Sequence, residues 1–468
     1  MTQFEYDLVV IGSGPAGHSA AIQAGKLRKR VMVAERKSIV GGVCMNIGTI
    51  PSKTMREAVL YLSGYREHAL YGESYKVKEK ITLADLLFRV EPVVRHEVDV
   101  TRHQLLRNNV ELEYADASFV DAHTLRLVLR ERPGERIITA DKVVIAVGTE
   151  AARDPRMALD GNCVFSSDDI LQLKDLPGSL AVIGAGVIGC EYASIFAALG
   201  VKVTVIEKRP RLLPFVDAEI IEALTYHLRE QRVTMRLGEE VDRVELIDDG
   251  ANPRVKINLV SGKQIVADKV LRSTGRSGAT AGLHLDAAGV TTHDRGLIKV
   301  NEVYQSEVAN IYAAGDVIGF PSLASTSREQ GRIASCHAFG VAAKHAPELF
   351  PYGIYTIPEI SFVGQNEEEL TDKGVPYEVG KAQYREIARG QIVGDTTGML
   401  KLLFERNTRE LLGVHVIGEG AVELIHIGQV VLSFKGKIDY FVETVFNYPT
   451  LAECYKSAAF DGMNRLAM

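Results

Sequence analysis

One local pattern occurs twice in this chain of 468 residues and constrains its fold more than any other feature. A short apolar strand leads into a Gly-x-Gly-x-x-Gly turn, a helix follows, and a second apolar strand ends on an acid. The interval from Gly12 to Glu35 in the first copy equals the interval from Gly184 to Glu207 in the second. Units of this kind pack as a parallel sheet that is covered by helices. The chain is therefore predicted to have an α/β fold with two such domains.

Each position of the first copy suits a bound dinucleotide. Gly12 allows the sharp turn, Gly14 lets the backbone approach a pyrophosphate, and Gly17 lets the helix pack closely on the strand. The helix N-terminus then faces the phosphates, and Glu35 is placed to bind the ribose hydroxyls. The glycine motif alone would also fit an ordinary turn, but here strand, helix and acid stand in register with it. The first copy therefore predicts a Rossmann-like dinucleotide site.

The second copy repeats these positions as Gly184, Gly186, Gly189 and Glu207. Two bound dinucleotides are implied, although a duplicated domain with a single function would show the same repeat. The spacing does not distinguish the two ligands, because it is the same in both copies.

The residues after the second acid bear on which nucleotide binds there. Glu207 suits the 2′-hydroxyl of NAD and would repel the 2′-phosphate of NADP. Lys208, Arg209 and Arg211 follow at once, and a guanidinium from this group could hold that phosphate. An acid followed by basic residues favours a pocket that accepts both NAD and NADP. The alternative is that the pocket binds NAD alone and that the basic residues form a solvated loop.

Charge and hydropathy exclude several classes of partner. The formal net charge is −6, and no run of Lys or Arg is long enough for a nucleic-acid track or a polybasic membrane anchor. The N-terminus has no basic segment, and the apolar run at residues 8–11 is far too short for a signal sequence or a membrane span. We expect a cytoplasmic protein that binds neither nucleic acid nor membranes.

The cysteines predict neither a disulfide framework nor a metal centre. They are odd in number, widely scattered and never spaced as Cys-x-x-Cys, so reduced thiols are expected. Glu423 and His426 have no third ligand nearby in the sequence, which favours a helical surface over a metal site. No metal is therefore expected. The cysteines are Cys44, Cys163, Cys190, Cys336 and Cys454.

Residues 40–54 carry a resemblance to a known family. They read Val-Gly-Gly-Val-Cys-Met-Asn-Ile-Gly-Thr-Ile-Pro-Ser-Lys-Thr. This resembles the active-site segment of the flavoprotein disulfide reductases, Gly-Gly-x-Cys-x-x-x-x-Cys-x-Pro-x-Lys. Its first cysteine is Cys44, but the second position holds Thr49, and disulfide exchange needs both an attacking and a resolving sulfur. The resemblance thus implies a family member without the redox disulfide. Within the family, a segment that lacks the second cysteine in this way is most similar to that of the transhydrogenases.

Further motifs extend the resemblance over essentially the whole chain. Residues 143–148 resemble the exit from the FAD domain, with Val147 in place of the usual threonine, and residues 271–276 resemble the end of the nucleotide domain. Residues 310–316 match the second FAD motif, whose aspartate binds the ribityl chain. Residues 322–332 read as a capped helix start that would face the flavin N1 and O2 edge.

The resemblance assigns the first dinucleotide site to FAD and the second to NAD or NADP. Lys53 and Glu191 match the family's buried charged pair beside the flavin N5 and are the expected catalytic residues; a plain salt bridge between domains is the alternative. For FAD the resemblance implies Gly12, Gly14, Gly17, Glu35, Arg36, Gly41, Gly42, Cys44, Gly148, Gly315, Asp316 and Ala324. For the nicotinamide nucleotide it implies Gly184, Gly186, Gly189, Glu207, Lys208, Arg209 and Gly275.

A second departure from the family lies near the C-terminus. Disulfide reductases have His-Pro-Thr-x-x-Glu there, and Tyr448 stands at the histidine position. That histidine protonates the leaving thiol, so the joint loss of disulfide and histidine is coherent. The expected reaction is ping-pong hydride transfer from NADPH to NAD, and the reverse, through the flavin N5 in one shared pocket. NADPH, NADH, NAD and NADP are the expected substrates.

Other interpretations stay open at this point. An FAD-dependent diaphorase would pass electrons to a quinone or to oxygen, and a non-enzymatic FAD-binding protein would select partners by its redox state. Cys44 could form a sulfenic acid near a flavin, or could simply fill apolar space.

The motifs also predict the domain organisation. An FAD domain covers residues 1–150 and 277–345, and an NAD(P) domain covers residues 151–276. From residue 346 to 468 the pattern is rich in strands and then in helices, and it resembles the α+β interface domain of the family. A homodimer or a higher homo-oligomer is therefore expected.

Overall fold

The computed structural model describes residues 4–247, 253–343 and 349–466. The chain divides into two compact units. The first contains residues 4–55, 87–153 and 275–343, and the second contains residues 56–86, 154–247, 253–274 and 349–466. The predicted boundary between residues 345 and 346 lies outside the described residues, and the four predicted domain bounds stay predictions.

The strands are numbered in chain order. They are β1 Tyr6–Ile11, β2 Val31–Glu35, β3 Val110–Phe119, β4 Thr124–Leu129, β5 Glu135–Ile145, β6 Thr149–Ala151, β7 Val164–Ser166, β8 Ser179–Ile183, β9 Lys202–Glu207, β10 Thr234–Leu237, β11 Val241–Ile247, β12 Arg254–Leu259, β13 Gln264–Ala267, β14 Lys269–Arg272, β15 Arg276–Gly278, β16 Ile311–Ala313, β17 Tyr352–Ile354, β18 Ile360–Gly364, β19 Tyr377–Gln383, β20 Met399–Glu405 and β21 Leu411–Ile417.

The helices are numbered in the same way. They are α1 Pro15–Lys26, α2 Gly42–Asn46, α3 Thr49–Ser63, α4 His68–Tyr71, α5 Leu83–Arg107, α6 Val187–Ala198, α7 Ala218–Glu230, α8 Ala324–Ala338, α9 Glu367–Asp372, α10 Ala388–Val393, α11 Ala421–Ser433, α12 Asp439–Glu443 and α13 Glu453–Leu466. Among the described residues, none of the helices has both the length and the hydropathy that crossing a membrane requires.

A parallel sheet forms the centre of the first unit. Strand β1 pairs with β2 and β5, β2 also pairs with β3, and β5 also pairs with β16. The end of β3 and the start of β5 pair with β4 in an antiparallel arrangement. Strands β1 and β2 are almost entirely buried, as expected for apolar runs in a parallel sheet whose two faces are covered.

Helices α1 and α8 pack unusually close together in this unit. A Cβ built at Gly331 of α8 would lie 2.0 Å from the carbonyl oxygen of Ala16 in α1. Gly331 is therefore required by the close approach of the two backbones, and this approach brings α8 to the start of the first glycine loop.

The predicted start of α8 is wrong in detail. The sequence pattern favoured a capped helix start within residues 322–332, but the helix begins at Ala324, and Leu323 at the N-cap offers no side-chain hydrogen bond. Ser322 instead has a left-handed backbone with φ 52° and its hydroxyl donates to the carbonyl of Gly319. The serine completes the preceding loop, which is why it does not cap the helix.

The second unit contains three sheets. A parallel sheet has the order β10-β9-β8-β14-β7 and carries the second copy of the repeat, with α6 between β8 and β9. A small antiparallel sheet has the order β11-β12-β13. An antiparallel sheet with the order β17-β18-β21-β20-β19 forms the C-terminal part, and α11 and α13 pack against it.

A fully buried lysine joins parts of the second unit. The Lys401 side chain is 0% exposed, and its Nζ lies 2.9 and 3.0 Å from the two carboxylate oxygens of Asp217. Glu219 lies 3.1 Å away and Glu367 also contacts it. Burial alone would lower the pKa of Lys401, but Glu367 and Asp217 raise it above its usual value. The three acids are spaced closely enough to hold a metal ion, and here they surround the ammonium group instead.

Replacing Lys401 with methionine is expected to destabilise the protein by about 3–5 kcal/mol, because Asp217 would keep a buried charge without its cation. Lys381→Met is the matched control: its contact with Glu219 is partly exposed, so its loss should cost about 1 kcal/mol or less. Urea denaturation followed by circular dichroism measures both. If both variants lost the same free energy of unfolding, the buried contact of Lys401 would stabilise the protein no more than the partly exposed contact of Lys381.

Candidate active site

The first glycine loop is shaped by contacts that only glycine permits. Gly12 has φ 101°, and a Cβ there would lie 2.5 Å from the carbonyl oxygen of Ala146. A Cβ at Gly17 would lie 1.9 Å from the carbonyl oxygen of Gly12. At Gly14, the N-cap of α1, the nearest heavy atom to such a Cβ is 3.9 Å away. The loop is therefore tight at its two ends and open in the middle, where backbone N–H groups of the helix start are available to a pyrophosphate.

Glu35 is held rigidly at the end of β2. It is 4% exposed, and its Oε2 accepts from the Ser13 amide at 2.9 Å and from the Ser13 hydroxyl at 2.6 Å. Its Oε1 accepts from the Lys37 amide at 2.9 Å. Arg36 lies beside it and is exposed. The carboxylate thus stands next to the glycine loop, as the sequence predicts for an acid that binds ribose hydroxyls.

The segment that contains Cys44 packs directly on this loop. The Gly41 amide donates to the Ser13 hydroxyl at 3.0 Å, and a Cβ at Gly42 would lie 2.9 Å from the Cα of Gly14. Gly41 and Gly42 both have positive φ, at 99° and 59°. The two glycines let the chain cross the phosphate loop at the closest possible distance.

Cys44 is a buried thiol in α2, and Thr49 is the first residue of α3. Burial raises the pKa of Cys44, and the Thr49 hydroxyl, Arg328 and Lys53 offset that only in part. A thiol with a raised pKa stays protonated at neutral pH and is a poor nucleophile. All five cysteines of the chain lie in described residues and are free.

The predicted catalytic pair falls in different units. Lys53 lies on α3 in the first unit, one helical turn after Thr49, and its charge acts on Cys44. Glu191 lies on α6 in the second unit, where it is 4% exposed and its Oε1 accepts from the Tyr355 amide at 2.9 Å. The pairing of the two residues stays a prediction.

The second FAD motif brings an acid and an arginine together in the first unit. Burial raises the pKa of Asp316, while Arg276 and the Thr149 side chain oppose the increase. Arg276 donates to the Thr149 hydroxyl at 2.9 Å and to its carbonyl at 2.8 Å. The sequence motifs gave no role to Thr149 or Arg276, because they meet only through the antiparallel pairing of β6 with β15.

Two glycines predicted for the FAD site, Gly148 and Gly315, directly precede Thr149 and Asp316 in the chain. Gly148 has φ 67°, and a Cβ there would meet no heavy atom within 4 Å. Gly315 has φ 84°, its amide donates to Gln330 of α8 at 2.9 Å, and a Cβ there would lie 3.0 Å from the Ala16 side chain. Gly315 and Ala324, the first residue of α8, therefore belong to the same surroundings as the first glycine loop.

The second glycine loop repeats the geometry of the first. A Cβ at Gly184 would lie 2.6 Å from the carbonyl oxygen of Ser273, and one at Gly189 would lie 2.0 Å from the carbonyl oxygen of Gly184. Gly186, the N-cap of α6, would meet nothing within 4 Å. Gly275, predicted with this site, has φ 122° and falls in the first unit, whereas the three glycines of the loop fall in the second.

Glu207 and Arg209 form a close ion pair at the end of β9. Glu207 is 5% exposed and accepts from the Ala185 amide at 2.7 Å. The Arg209 guanidinium donates to both of its oxygens at 2.9 Å. Burial alone would raise the pKa of Glu207, but Arg209 and the Ala185 amide lower it to about 2. Glu207 therefore carries a full negative charge at neutral pH.

The other basic residues after Glu207 differ in their partners. Lys208 is exposed. Arg211 donates to Glu368 at 2.9 Å and also contacts the carbonyl of Pro214, so its guanidinium is held within the second unit. Of the two arginines that the sequence offers as phosphate ligands, Arg209 is the one beside Glu207.

The residues of both loops fit the predicted ligands. Gly14 and Gly186 leave open space at a helix N-terminus, which is where a pyrophosphate binds. Glu35 and Glu207 each offer a buried, anchored carboxylate to a ribose. Asp316 is a partly buried acid that directly follows Gly315, the residue packed against Ala16 of α1, and it fits a ribityl ligand.

The position of the family histidine is exposed. Tyr448 is 74% exposed and lies just before α13, whose first residue is Glu453. A phenol ring at this position does not offer the imidazole nitrogen that the family histidine uses.

Comparisons with known proteins agree with this geometry. Residues 6–331 match the pyridine nucleotide-disulphide oxidoreductase model, and residues 350–459 match its dimerisation domain. A relative from Mycobacterium tuberculosis named soluble pyridine nucleotide transhydrogenase is 53% identical over 99% of this chain and 98% of its own. One of the same name from Colwellia psychrerythraea is 46% identical over 99% of each chain.

Solved structures show the same fold. The HOCl-induced flavoprotein disulfide reductase RclA from Escherichia coli is 28% identical, with a TM-score of 0.86 over 97% of this chain and 99% of its own. LpdA from Mycobacterium tuberculosis is 26% identical, with a TM-score of 0.88 over the same shares. The predicted α/β fold with two dinucleotide-binding regions and a dimerisation domain is confirmed. This chain belongs to the pyridine nucleotide-disulphide oxidoreductase family.

Proposed function

We propose that this chain is an FAD-dependent transhydrogenase, which moves a hydride from NADPH to NAD and in the reverse direction. One observation carries the proposal: both dinucleotide loops are intact, while the redox segment at residues 40–54 holds a single thiol. Thr49 occupies the place of the second sulfur, so Cys44 has no resolving partner there. Relatives at 45% to 53% identity over 99% of this chain bear the transhydrogenase name.

FAD is the cofactor, and the first unit supplies its ligands. The start of α1 at Gly14 would hold the pyrophosphate, Glu35 the adenosine ribose and Asp316 the ribityl chain. When bound, FAD supplies a group that accepts and returns a hydride. The N-terminus of α8 at Ala324 would offer a positive end to the reduced ring.

The second unit supplies one pocket for both nicotinamide nucleotides. Gly186 and the start of α6 would hold the pyrophosphate, and Glu207 would orient the adenosine ribose. Within the part of the chain that the structure describes, this loop is the one copy of the motif besides the FAD loop. Donor and acceptor therefore use it in turn, which is a ping-pong order.

Charged residues near the site set its electrostatics. Lys53 places a positive charge on α3, and Glu191 places a carboxylate on the helix of the second loop. Their pairing beside the flavin N5 is part of the proposal, in which each side chain orients the other. Cys44 then serves as a small neutral side chain and takes no part in the chemistry.

The protein acts as a homodimer. The dimerisation domain covers residues 350–459, and it exposes large apolar side chains, Phe434, Val445 and Tyr448, that a subunit contact would cover. We propose a cytoplasmic location for the enzyme, which its five free cysteines support.

The proposal predicts two separable half-reactions. Purified flavoprotein is reduced without oxygen by NADPH, the NADP is removed, and NAD is added. The visible absorbance of oxidised flavin should return rapidly, with one equivalent of NADH formed per flavin. Absorbance that returns only with a quinone or oxygen would rule out transhydrogenation in favour of a diaphorase. Flavin that NADPH does not reduce at all would favour a non-enzymatic role.

The matched glycines of the two loops separate the two ligands. Gly14→Ala places a methyl group at an ordinary van der Waals distance of 3.9 Å from Gly42, and Gly186→Ala places one in open space, so the fold should tolerate both. We expect the first variant to purify with less FAD. The second should keep its FAD and bind NADPH and NAD about tenfold more weakly, since the methyl blocks the pyrophosphate.

Flavin content is measured from released FAD, and nucleotide binding by titration calorimetry. If Gly186→Ala lost FAD while Gly14→Ala lost nucleotide binding, the assignment of the two loops would be reversed.

A further inference from the structure

The two copies of the repeat hold their acids with the same backbone donors. In the first copy, Glu35 accepts from the amide of Ser13, the residue after the first glycine, and from the amide of Lys37, two residues after the acid. In the second copy, Glu207 accepts from the amides at the same two positions, at 2.7 and 3.0 Å. The backbone around the two acids is therefore equivalent.

The side chains around the two acids differ. In the first copy the Ser13 hydroxyl completes the set with a hydrogen bond of 2.6 Å. The second copy has Ala185 at that position, which has no side-chain donor, and the Arg209 guanidinium takes over with bonds of 2.9 Å to both oxygens. A short, fixed donor in the FAD copy is thus replaced by a long, charged one in the nucleotide copy.

Solvent and ligands can reach Arg209 more easily than Glu207. The arginine side chain is 42% exposed and the glutamate side chain is 5% exposed. An anion that enters the pocket can therefore compete with Glu207 for the guanidinium. Glu207 would still be anchored by its two backbone donors, at Ala185 and Arg209.

The competing anion that a nucleotide brings to this position is the 2′-phosphate of NADP. A guanidinium binds a phosphate through two parallel hydrogen bonds, and the charge of the phosphate exceeds that of the carboxylate. Arg211 is less suited to this role, because its guanidinium contacts Glu368 and the Pro214 carbonyl and not the acid at the ribose position.

We propose that Arg209 is a two-position specificity switch. It stays on Glu207 when a 2′-hydroxyl occupies the pocket, and it turns to the phosphate when NADP enters. The guanidinium thereby offsets the charge of the phosphate beside Glu207, while the carboxylate remains in place for NAD. The inference rests on the proposed function in one respect, that a single pocket takes both nucleotides.

The test measures the dissociation constants of NADP and NAD with the oxidised holoenzyme by titration calorimetry, where no hydride transfer takes place. Arg209→Met should weaken NADP binding by about tenfold or more and change NAD binding by less than about threefold. Glu207→Gln should act in the opposite sense, weakening NAD and tightening NADP. Arg211→Met, in the same basic loop but held by Glu368, is the matched control and should leave the ratio of the two constants unchanged.

Three results would overturn the inference. Equal losses for NAD and NADP in Arg209→Met would make the arginine a structural clamp on Glu207. A loss of NADP binding in Lys208→Met but not in Arg209→Met would assign the phosphate to the lysine. A wild-type enzyme that binds only NAD or only NADP would contradict a switch between the two. Failure of the proposed function would be seen differently, as normal binding of both nucleotides with no reoxidation by NAD.

Discussion

The close contact between a helix start and the strand before it is the constraint on which this structure depends. In both copies of the repeat, the first and third glycines of the motif lie very close to backbone carbonyl oxygens. Any side chain there would collide with those oxygens, as at Gly17 and Gly189. The glycine between them faces open space. The helix N-terminus is thereby exposed at the end of a buried strand, where its unpaired N–H groups can bind phosphate oxygens. The acid of the next strand and the segment around Cys44 are positioned relative to this point.

The same framework supports a chemistry without sulfur exchange. Gly42 and the Ser13 hydroxyl hold the Cys44 segment on the first glycine loop through contacts that involve no sulfur atom. Thr49 removes the resolving sulfur, and burial keeps the remaining thiol protonated. Members of one fold family can thus catalyse different reactions through a few side-chain changes. The fold determines where a cofactor binds, and the side chains around it determine which reaction follows. The site rather than the fold carries the evidence for transhydrogenation.

Features that depend on short stretches of sequence were predictable. The glycine loops, the anchored acids Glu35 and Glu207, and the segment from Gly41 to Thr49 all lie within a few residues of their partners or in a fixed motif. Features that depend on distant pairing were not. Arg276 meets Thr149 across 127 positions of the chain, and Lys401 meets Asp217 across 184. The predicted side-chain cap of α8 is absent for a related reason, since the loop conformation, which the motif does not encode, directs the Ser322 hydroxyl to Gly319.

The central claim is that one nucleotide pocket serves donor and acceptor in turn. Initial rates measured over a grid of NADPH and NAD concentrations test this most directly. The account predicts parallel lines in double-reciprocal plots, with each nucleotide inhibiting competitively against the other at high concentration, because both need the loop at Gly186. Lines that intersect would show that donor and acceptor are bound together, and would contradict a single shared pocket.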